Sequence, residues 1–164
     1  MPAELTTNQN GQVEMFYAGN TPPWHKLGQY VGDQNVTSAQ ALEAANLDWK
    51  VTLEPVYQLQ STVPVNGYKF ITREDNHNVL GMVRDRYTPI QNTDLFKFFD
   101  SVVGEGQAIY HTAGSLKGGK KIWILAQLPG QLEVTKEDKI DKFILLSSSH
   151  DGTMPLTMLW TPVR

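Results

Sequence analysis

Residues 109–128, IYHTAGSLKGGKKIWILAQL, contain two apolar stretches on either side of a short segment of lysine and glycine. In both stretches large apolar side chains alternate with smaller or polar ones, which is the pattern of a strand that buries one face. The paired glycines between them favour a primed hairpin turn, whose two central residues have positive φ. We therefore predict two antiparallel strands joined by a tight turn over residues 117–120.

Further strands are predicted on both sides of this hairpin. Met15-Phe16-Tyr17 indicates a short edge strand, and the runs at 49–56, 68–72 and 79–83 indicate an antiparallel meander in which Pro55 marks an edge or a bulge. The run 142–150 is expected to turn at Asp151-Gly152 into a last strand that ends in LTMLW.

Two helices interrupt the strands. Thr37 and Gln40 have the spacing of a capping box ahead of a short apolar stripe, and Asn46 is a plausible end. The second helix is predicted to begin at Asn92 or Thr93 and to end before Gly104. Its apolar face is wide enough to cover one side of a sheet, and it consists of Leu95, Phe96, Phe99, Val102 and Val103.

These elements predict an α+β fold. Strands in sequential hairpins with two intervening helices favour a single antiparallel sheet of about six to eight strands covered by two helices. Residues 1–12 are polar and without periodicity, so we predict a mobile N-terminal tail there. Residues 13–164 are expected to form a single α+β domain.

Composition excludes several classes of protein. The chain has 164 residues, a formal net charge of −3 and no cysteine. It lacks disulfides, a thiolate zinc site, a secretory signal and the ~18-residue apolar run of a spanning helix, which predicts a location in the cytoplasm. Proteins that bind duplex nucleic acid through phosphates usually carry a basic surplus, so nucleic-acid binding would have to depend on a local cluster.

The dense basic cluster lies at the predicted hairpin turn. A lysine-rich turn near an aromatic side chain is typical of grooves that bind single-stranded nucleic acid, with charge for phosphates and a ring for stacking. The candidate binding residues are Lys117, Lys120, Lys121, Arg84, Arg86 and Trp123. The alternative is a solvent-exposed turn that carries lysines for solubility, with Trp123 in the core like Trp49 and Trp160.

Candidates for enzymatic chemistry are weak. The four histidines, His25, His77, His111 and His150, form no HExxH or His-x-His motif. A metal site would need His111, His150 and Asp151 to meet in the folded chain, and Ser147–Asp151 is not a plausible hydrolase triad because neighbouring strand side chains point to opposite faces. We predict no catalytic residue, no metal and no cofactor.

The segment TPPWHKLG, residues 21–28, is a candidate interaction loop. Two prolines stiffen it and the glycine permits a turn at its end. Trp24, His25 and Lys26 are its candidate binding residues, and a structural anchor is the favoured alternative because no second residue at a fixed spacing partners His25.

Five motifs together carry a resemblance to a known family: MFYAGNTPPWHKLG, AQALEAANLDWKVTLEPVY, DRYTPIQN, AGSLKGGKKIWILAQLP and LLSSSHDGTMPL. The chain resembles the phage/plasmid-like protein family, domain of unknown function 932. The resemblance implies a protein carried by bacteriophages, plasmids and the bacteria that host them, so the expected cytoplasm is that of a bacterial host. It supplies no catalytic residues. Members of that family continue past the segment matching TMLWTPVR, which implies a C-terminal truncation: a fragment, a short variant or a crystallised portion.

Two functional hypotheses follow. The first is an accessory protein of DNA metabolism that binds single-stranded DNA, with strand annealing as one form of that activity, because a sheet crossed by a helix is similar to the β-β-β-α core of single-strand annealing proteins. The second is a non-enzymatic interaction protein that binds and inhibits a host defence or DNA-processing protein. The expected partners are single-stranded DNA or a host protein, and a further copy of the chain in a homo-oligomer; no membrane is expected.

Overall fold

The computed structural model describes residues 4–19, 27–32, 36–103, 109–135 and 138–163. The fold is α+β, as predicted, with two helices and two β-sheets. The helices are α1 (Ser38–Ala44) and α2 (Asn92–Val103). The strands are β1 (Met15–Tyr17), β2 (Gln29–Tyr30), β3 (Val51–Tyr57), β4 (Pro64–Arg73), β5 (Val79–Arg84), β6 (Ile109–Leu116), β7 (Lys121–Thr135), β8 (Asp138–Ser149) and β9 (Thr157–Val163).

The larger sheet has six strands in the order β2-β1-β6-β7-β8-β9. The predicted hairpin of β6 and β7 lies at its centre, with Gly114 opposite Trp123. β1 pairs with β6 on one side and with β2, in parallel, on the other. The prediction of β1 as an edge strand is therefore wrong, because residues 29–30 supply a further strand that its three-residue pattern did not reveal.

The smaller sheet has three strands in the order β3-β4-β5 and forms the predicted meander. The prediction of a single sheet was wrong because β5 leads into α2 and not into a hairpin, so β6 begins a new set of pairings. Ile71 and Leu80 of the smaller sheet nevertheless belong to the same buried cluster as Ile122 and Ile124 of the larger one. Both sheets and both helices therefore share one hydrophobic core.

Two predicted turns differ from the structure. Lys117–Gly119 forms a 3₁₀ turn in which φ is 57° at Lys117, 72° at Gly118 and 95° at Gly119. A primed turn has at most two such residues, so this longer turn needs the freedom of both glycines. Asp151-Gly152 does not join β8 directly to β9, since residues 150–156 separate the strands.

Both predicted helices are present. Gln40 N–H donates to the Thr37 side chain at 3.3 Å, Thr37 N–H donates to the Gln40 side chain at 2.9 Å, and Asn46 follows the helix with φ of 53°. α2 begins at Asn92 and buries Leu95, Phe96 and Phe99. Within the described ranges neither helix is long and apolar enough to cross a membrane.

The N-terminal segment is described from Glu4 onward and runs beside β6. Leu5 forms an isolated antiparallel bridge with Leu116, and Thr6 N–H donates to the Ser115 carbonyl at 3.1 Å. Lys117 N–H donates to the Glu4 carbonyl at 2.8 Å. This segment therefore helps to hold the turn at which the basic cluster lies.

Candidate nucleic-acid interface

The larger sheet has one face packed under the helices and one that we call the open face. On β7, Ile122, Ile124 and Ala126 are buried in the shared core with residues of α1 and α2. The alternate residues of β7 are only partly buried, because they project to the opposite side. By strand register the open face carries Tyr17, Tyr30, Thr112, Lys121, Trp123, Leu125, Leu145, Ser147 and Leu159. Met15 and Phe143 share this face by register but are buried, so the face is covered at these two positions.

Three aromatic side chains lie on the open face across four neighbouring strands. The rings of Tyr17 and Tyr30 are 5.3 Å apart. The Trp123 ring lies directly over Gly114, where any Cβ would overlap it. Since Met15 and Trp123 both lie opposite Gly114, the backbones of Tyr17 and Trp123 are about 10 Å apart across the sheet and about 7 Å along it. We call these aromatics the aromatic platform: Tyr17 and Tyr30 form a packed pair, and Trp123 lies farther along the same face.

The lysines of the basic cluster lie around one end of this platform. Lys121 is on the open face, two residues before Trp123. Lys117 is exposed and forms a 3.2 Å ion pair with Glu4, which is also exposed. Exposed ion pairs contribute little free energy, so this one does not prevent Lys117 from contacting a phosphate.

Strand register does not place the other predicted binding residues on the open face. Lys120 is half-buried, and its carbonyl accepts a 2.8 Å hydrogen bond from the His150 N–H. Arg84, at the end of β5, lies with its guanidinium 4.5 Å from the Tyr68 ring centre, and Arg86 follows in the next loop. The structure thus brings Lys117, Lys121 and Trp123 together, and it places the two arginines at the smaller sheet.

The three tryptophans predicted to be core residues have different environments. Trp49 is buried, as predicted, and Trp123 is half-buried on the open face. Trp160 on β9 is 68% exposed, so its prediction was wrong. Within the described part of the chain β9 ends the sheet, and the alternating pattern of an edge strand does not reveal that its apolar side chains lack a covering layer.

The motifs DRYTPIQN and LLSSSHDGTMPL, far apart in sequence, meet around a cleft of about 390 Å³. Hydroxyl groups and apolar side chains line it together, among them Tyr87, Ile90, Ser149, Thr153, Met154 and Leu156. Burial and the nearby Asp151 raise the pKa of Tyr87, so its hydroxyl remains a neutral donor. The cleft therefore presents an uncharged, partly apolar surface.

The serines and His150 beside this cleft do not form a catalytic triad. Ser149 Oγ donates to the Met154 carbonyl at 3.0 Å, and Asn92 Oδ1 lies 2.8 Å from His150 Nε2. Because the Asn92 amide group donates to the Leu47 and Trp49 carbonyls, its oxygen faces His150, and the histidine donates from Nε2. Among the described residues no group of three or more His, Asp and Glu is placed to hold a metal, so His111, His150 and Asp151 do not meet as a site.

A buried ion cluster joins the two sheets. Arg73 of β4 binds Glu14 through contacts of 2.7 and 3.2 Å and Asp75 through contacts of 2.6 and 2.9 Å. Ser115 donates to Glu14, and the Trp49 ring lies 3.9 Å from the Arg73 guanidinium. Arg73 also donates to the Gly118 carbonyl at 3.4 Å, so the cluster supports the basic turn from below.

The candidate interaction loop, Trp24, His25 and Lys26, lies outside the described residues. Gly28, at the end of its motif, is described and has φ of 99°. A Cβ there would lie about 3 Å from the Met15 backbone, so this glycine permits its own backbone to lie close to β1.

Comparison with known families gives one match. The model of the family described as Domain of unknown function (DUF932) matches residues 79–164, just over half of the chain. The chain belongs to the DUF932 family. Neither a comparison with curated proteins nor one with solved structures finds a match. The segment matching DUF932 contains the cleft and the β6–β7 hairpin, whereas Tyr17, Tyr30 and the ion-cluster residues precede it.

Sequence reasoning missed two members of the aromatic platform. Tyr17 was assigned to a strand, but its position next to β6 depends on a pairing between residues about 95 apart in the chain. Tyr30 was not assigned to any element. The one available signal was that successive side chains of a strand point to opposite faces. This rule places the side chain of Tyr17 on the face opposite that of the buried Phe16.

Proposed function

We propose that this DUF932 protein binds single-stranded DNA across the open face, as an accessory of DNA metabolism carried by a phage or plasmid. The observation that carries the proposal is the platform of Tyr17, Tyr30 and Trp123 with Lys121 at its end. Unpaired bases stack on sheet aromatics of this kind, and lysines at the margin of the platform contact the phosphates.

The smaller sheet gives secondary support. β3, β4 and β5 form a meander that is followed directly by α2. This is the β-β-β-α element order found in the core of single-strand annealing proteins. This is a similarity of element order, so it supports the class of ligand and not the residues that bind it.

Fluorescence anisotropy of a labelled oligo-dT at low salt tests the proposal. Trp123→Ala should weaken binding at least about fivefold, since base stacking is worth ~1–3 kcal/mol per base. Tyr30→Ala, at an exposed position, should weaken it in the same sense without a change in fold.

Trp160→Ala is the matched control. Trp160 is opposite Ile144 of β8, so it projects from the helix-covered side of the sheet and should not affect binding. Failure of the unaltered protein to bind oligo-dT at low salt would contradict the proposal. Equal losses for Trp123→Ala and Trp160→Ala would also contradict it, because the open face would then have no special role.

The alternative function is the binding and inhibition of a host defence or DNA-processing protein. The observation that favours it is β9, which ends the larger sheet within the described part of the chain and exposes Leu159 (53%) on the open face and Trp160 (68%) on the opposite face. Exposed apolar side chains on an edge strand are typical of surfaces that pair with another protein. This alternative predicts capture of one host protein that Trp160→Ala abolishes, with no retention of oligo-dT.

A further inference from the structure

The end of the β3–β4 hairpin projects three apolar side chains into solvent. We call residues 57–63 the prong. Leu59 is 93% exposed, Val63 is 69% exposed and Tyr57 is 52% exposed. Single exposed apolar residues are common on protein surfaces, but three at one tip form a patch of the kind found at interaction sites.

The prong has a defined shape. Ser61 N–H donates to the Gln58 carbonyl at 3.0 Å, which closes a four-residue turn with Leu59 and Gln60 at its centre. Gln60 has φ of 62°, the left-handed value that position three of a type II turn requires. Leu59 is therefore held at the apex of the hairpin by a hydrogen-bonded turn.

The prong and the cleft share an unusual electrostatic property. Residues 55–68 contain no Asp, Glu, Lys or Arg, although 19% of the whole chain is charged. The described lining of the cleft is uncharged as well, and it includes Ile90, which is 39% exposed, and Met154. Interface cores are depleted of charge in this way. The carboxylate of Asp151 lies near Tyr87 but outside this lining, where it accepts hydrogen bonds from Thr153.

The volume of the cleft is also sufficient for the side chain of Leu59 and one of its neighbours. At roughly 30 Å³ for each water-sized group, the 390 Å³ of the cleft holds about a dozen such groups. The four side-chain carbons of Leu59 fit there with those of one neighbour, Val63 or Tyr57. Leu59 is almost wholly exposed in the single chain, so it does not occupy the cleft of its own chain.

We propose that the prong of one chain inserts Leu59 into the cleft of a second copy. The contact is formed by one prong and one cleft, and it joins chains into a homo-oligomer. It is independent of DNA binding, because neither surface includes the aromatic platform. One such contact is small for a protein interface, so we expect association in the micromolar range.

Light scattering coupled to size-exclusion chromatography, at concentrations well above that range, tests the proposal. The unaltered protein should be larger than a monomer, and Leu59→Asp should weaken self-association by about tenfold or more because a charge would enter an apolar cleft. Leu159→Asp is the matched control, an exposed leucine on the open face, and it should leave the oligomer intact.

A mixing experiment identifies the two halves of the contact. Ile90→Asp blocks the cleft and keeps the prong, whereas Leu59→Asp does the reverse. Each variant alone should be monomeric, and an equimolar mixture should form a one-to-one heterodimer through the intact prong and the intact cleft. A monomeric unaltered protein, equal effects of Leu59→Asp and Leu159→Asp, or a mixture that stays monomeric would each overturn the proposal.

Discussion

At the scale of single residues, Glu14 and Arg73 under the basic turn are a buried pair of opposite charges that bind each other. The exposed fraction of Glu14 is 0% and that of Arg73 is 1%. Two guanidinium nitrogens of Arg73 donate to the two carboxylate oxygens of Glu14. A buried ion pair contributes little net stability relative to apolar residues, but the loss of one partner leaves an uncompensated charge. The cluster therefore fixes how the N-terminal segment, β4 and the turn fit together.

Removal of one partner of this cluster should be costly. Arg73→Met is expected to lower the free energy of unfolding by about 3–5 kcal/mol, since Glu14 would remain buried without its cation. Urea denaturation measures this change. The double variant Glu14→Leu/Arg73→Met should be more stable than Arg73→Met alone, because no buried charge is left without a partner. If the losses of the two single variants simply add in the double variant, the ion pair is not the cause of the lost stability.

His150 should make the stability depend on pH. Burial lowers its pKa to about 4, and Arg73 acts in the same direction while Asp151 opposes it. The unfolded chain, with a histidine pKa of about 6.5, binds the proton first as the pH falls, so stability decreases between about pH 6.5 and pH 4. The free energy of unfolding should fall by about 2 kcal/mol between pH 7 and pH 5.

The measurement is urea denaturation at both pH values, with two variants. His150→Gln should lose most of this pH dependence, at a cost in stability at pH 7, because the ring contact with Trp49 is lost. Burial also lowers the pKa of His111, which supplies the pH dependence that remains. His77→Gln, at an exposed position in the β4–β5 turn, should retain it. An unchanged slope in His150→Gln would place the proton uptake at another group.

At the scale of secondary structure, Gly114 leaves the space over β6 that the Trp123 ring occupies. A Cβ at this position would overlap the Trp123 ring and lie 2.6 Å from the Glu14 carbonyl oxygen. The glycine therefore lets the tryptophan lie flat over β6 and lets β1 pair on its other side. The aromatic platform depends on this residue, although it carries no side chain.

Gly114→Ala should destabilise the protein by about 1–3 kcal/mol, as overpacking does, and should weaken oligo-dT binding because Trp123 would be displaced. Urea denaturation and anisotropy measure the two effects. Gly11→Ala is the control: Gly11 has φ of 78° but open space around its Cβ position, so the expected cost is about 1 kcal/mol with binding unchanged.

At the scale of the whole molecule, the acidic net charge of −3 limits how a polyanion can bind. Among the described residues, the cations that we assign to the aromatic platform are Lys121 and Lys117, so stacking and not phosphate contact should supply most of the affinity. For two phosphate contacts to a single strand, the logarithm of the binding constant should fall with the logarithm of salt concentration with a slope of about −1.4.

Anisotropy titrations over a series of salt concentrations measure this slope. Lys121→Ala should make it shallower by about 0.7, which is the share of one contact. A slope steeper than about −4 would indicate a larger basic surface, such as one that includes Arg84 and Arg86, and would move the interface away from the open face.

The local signals in the sequence determined most of the secondary structure. The capping box at Thr37, the start of α2 at Asn92 and the meander of β3–β5 each depend on interactions within a few residues or between adjacent hairpin strands, so their patterns are complete in the sequence. The basic cluster beside Trp123 was visible for the same reason.

Only the tertiary structure decided how these elements combine. The division into two sheets, the position of Tyr17 beside β6 and the meeting of residues 85–92 with 147–156 all join segments far apart in the chain. Burial distinguished Trp49 from Trp160, which share an alternating pattern but not a covering layer. The sequence by itself determined the α+β class and the residues able to stack or carry charge, because both are local properties. Which of those residues share a surface was decided by long-range packing, because a strand pattern specifies a buried face but not its neighbour.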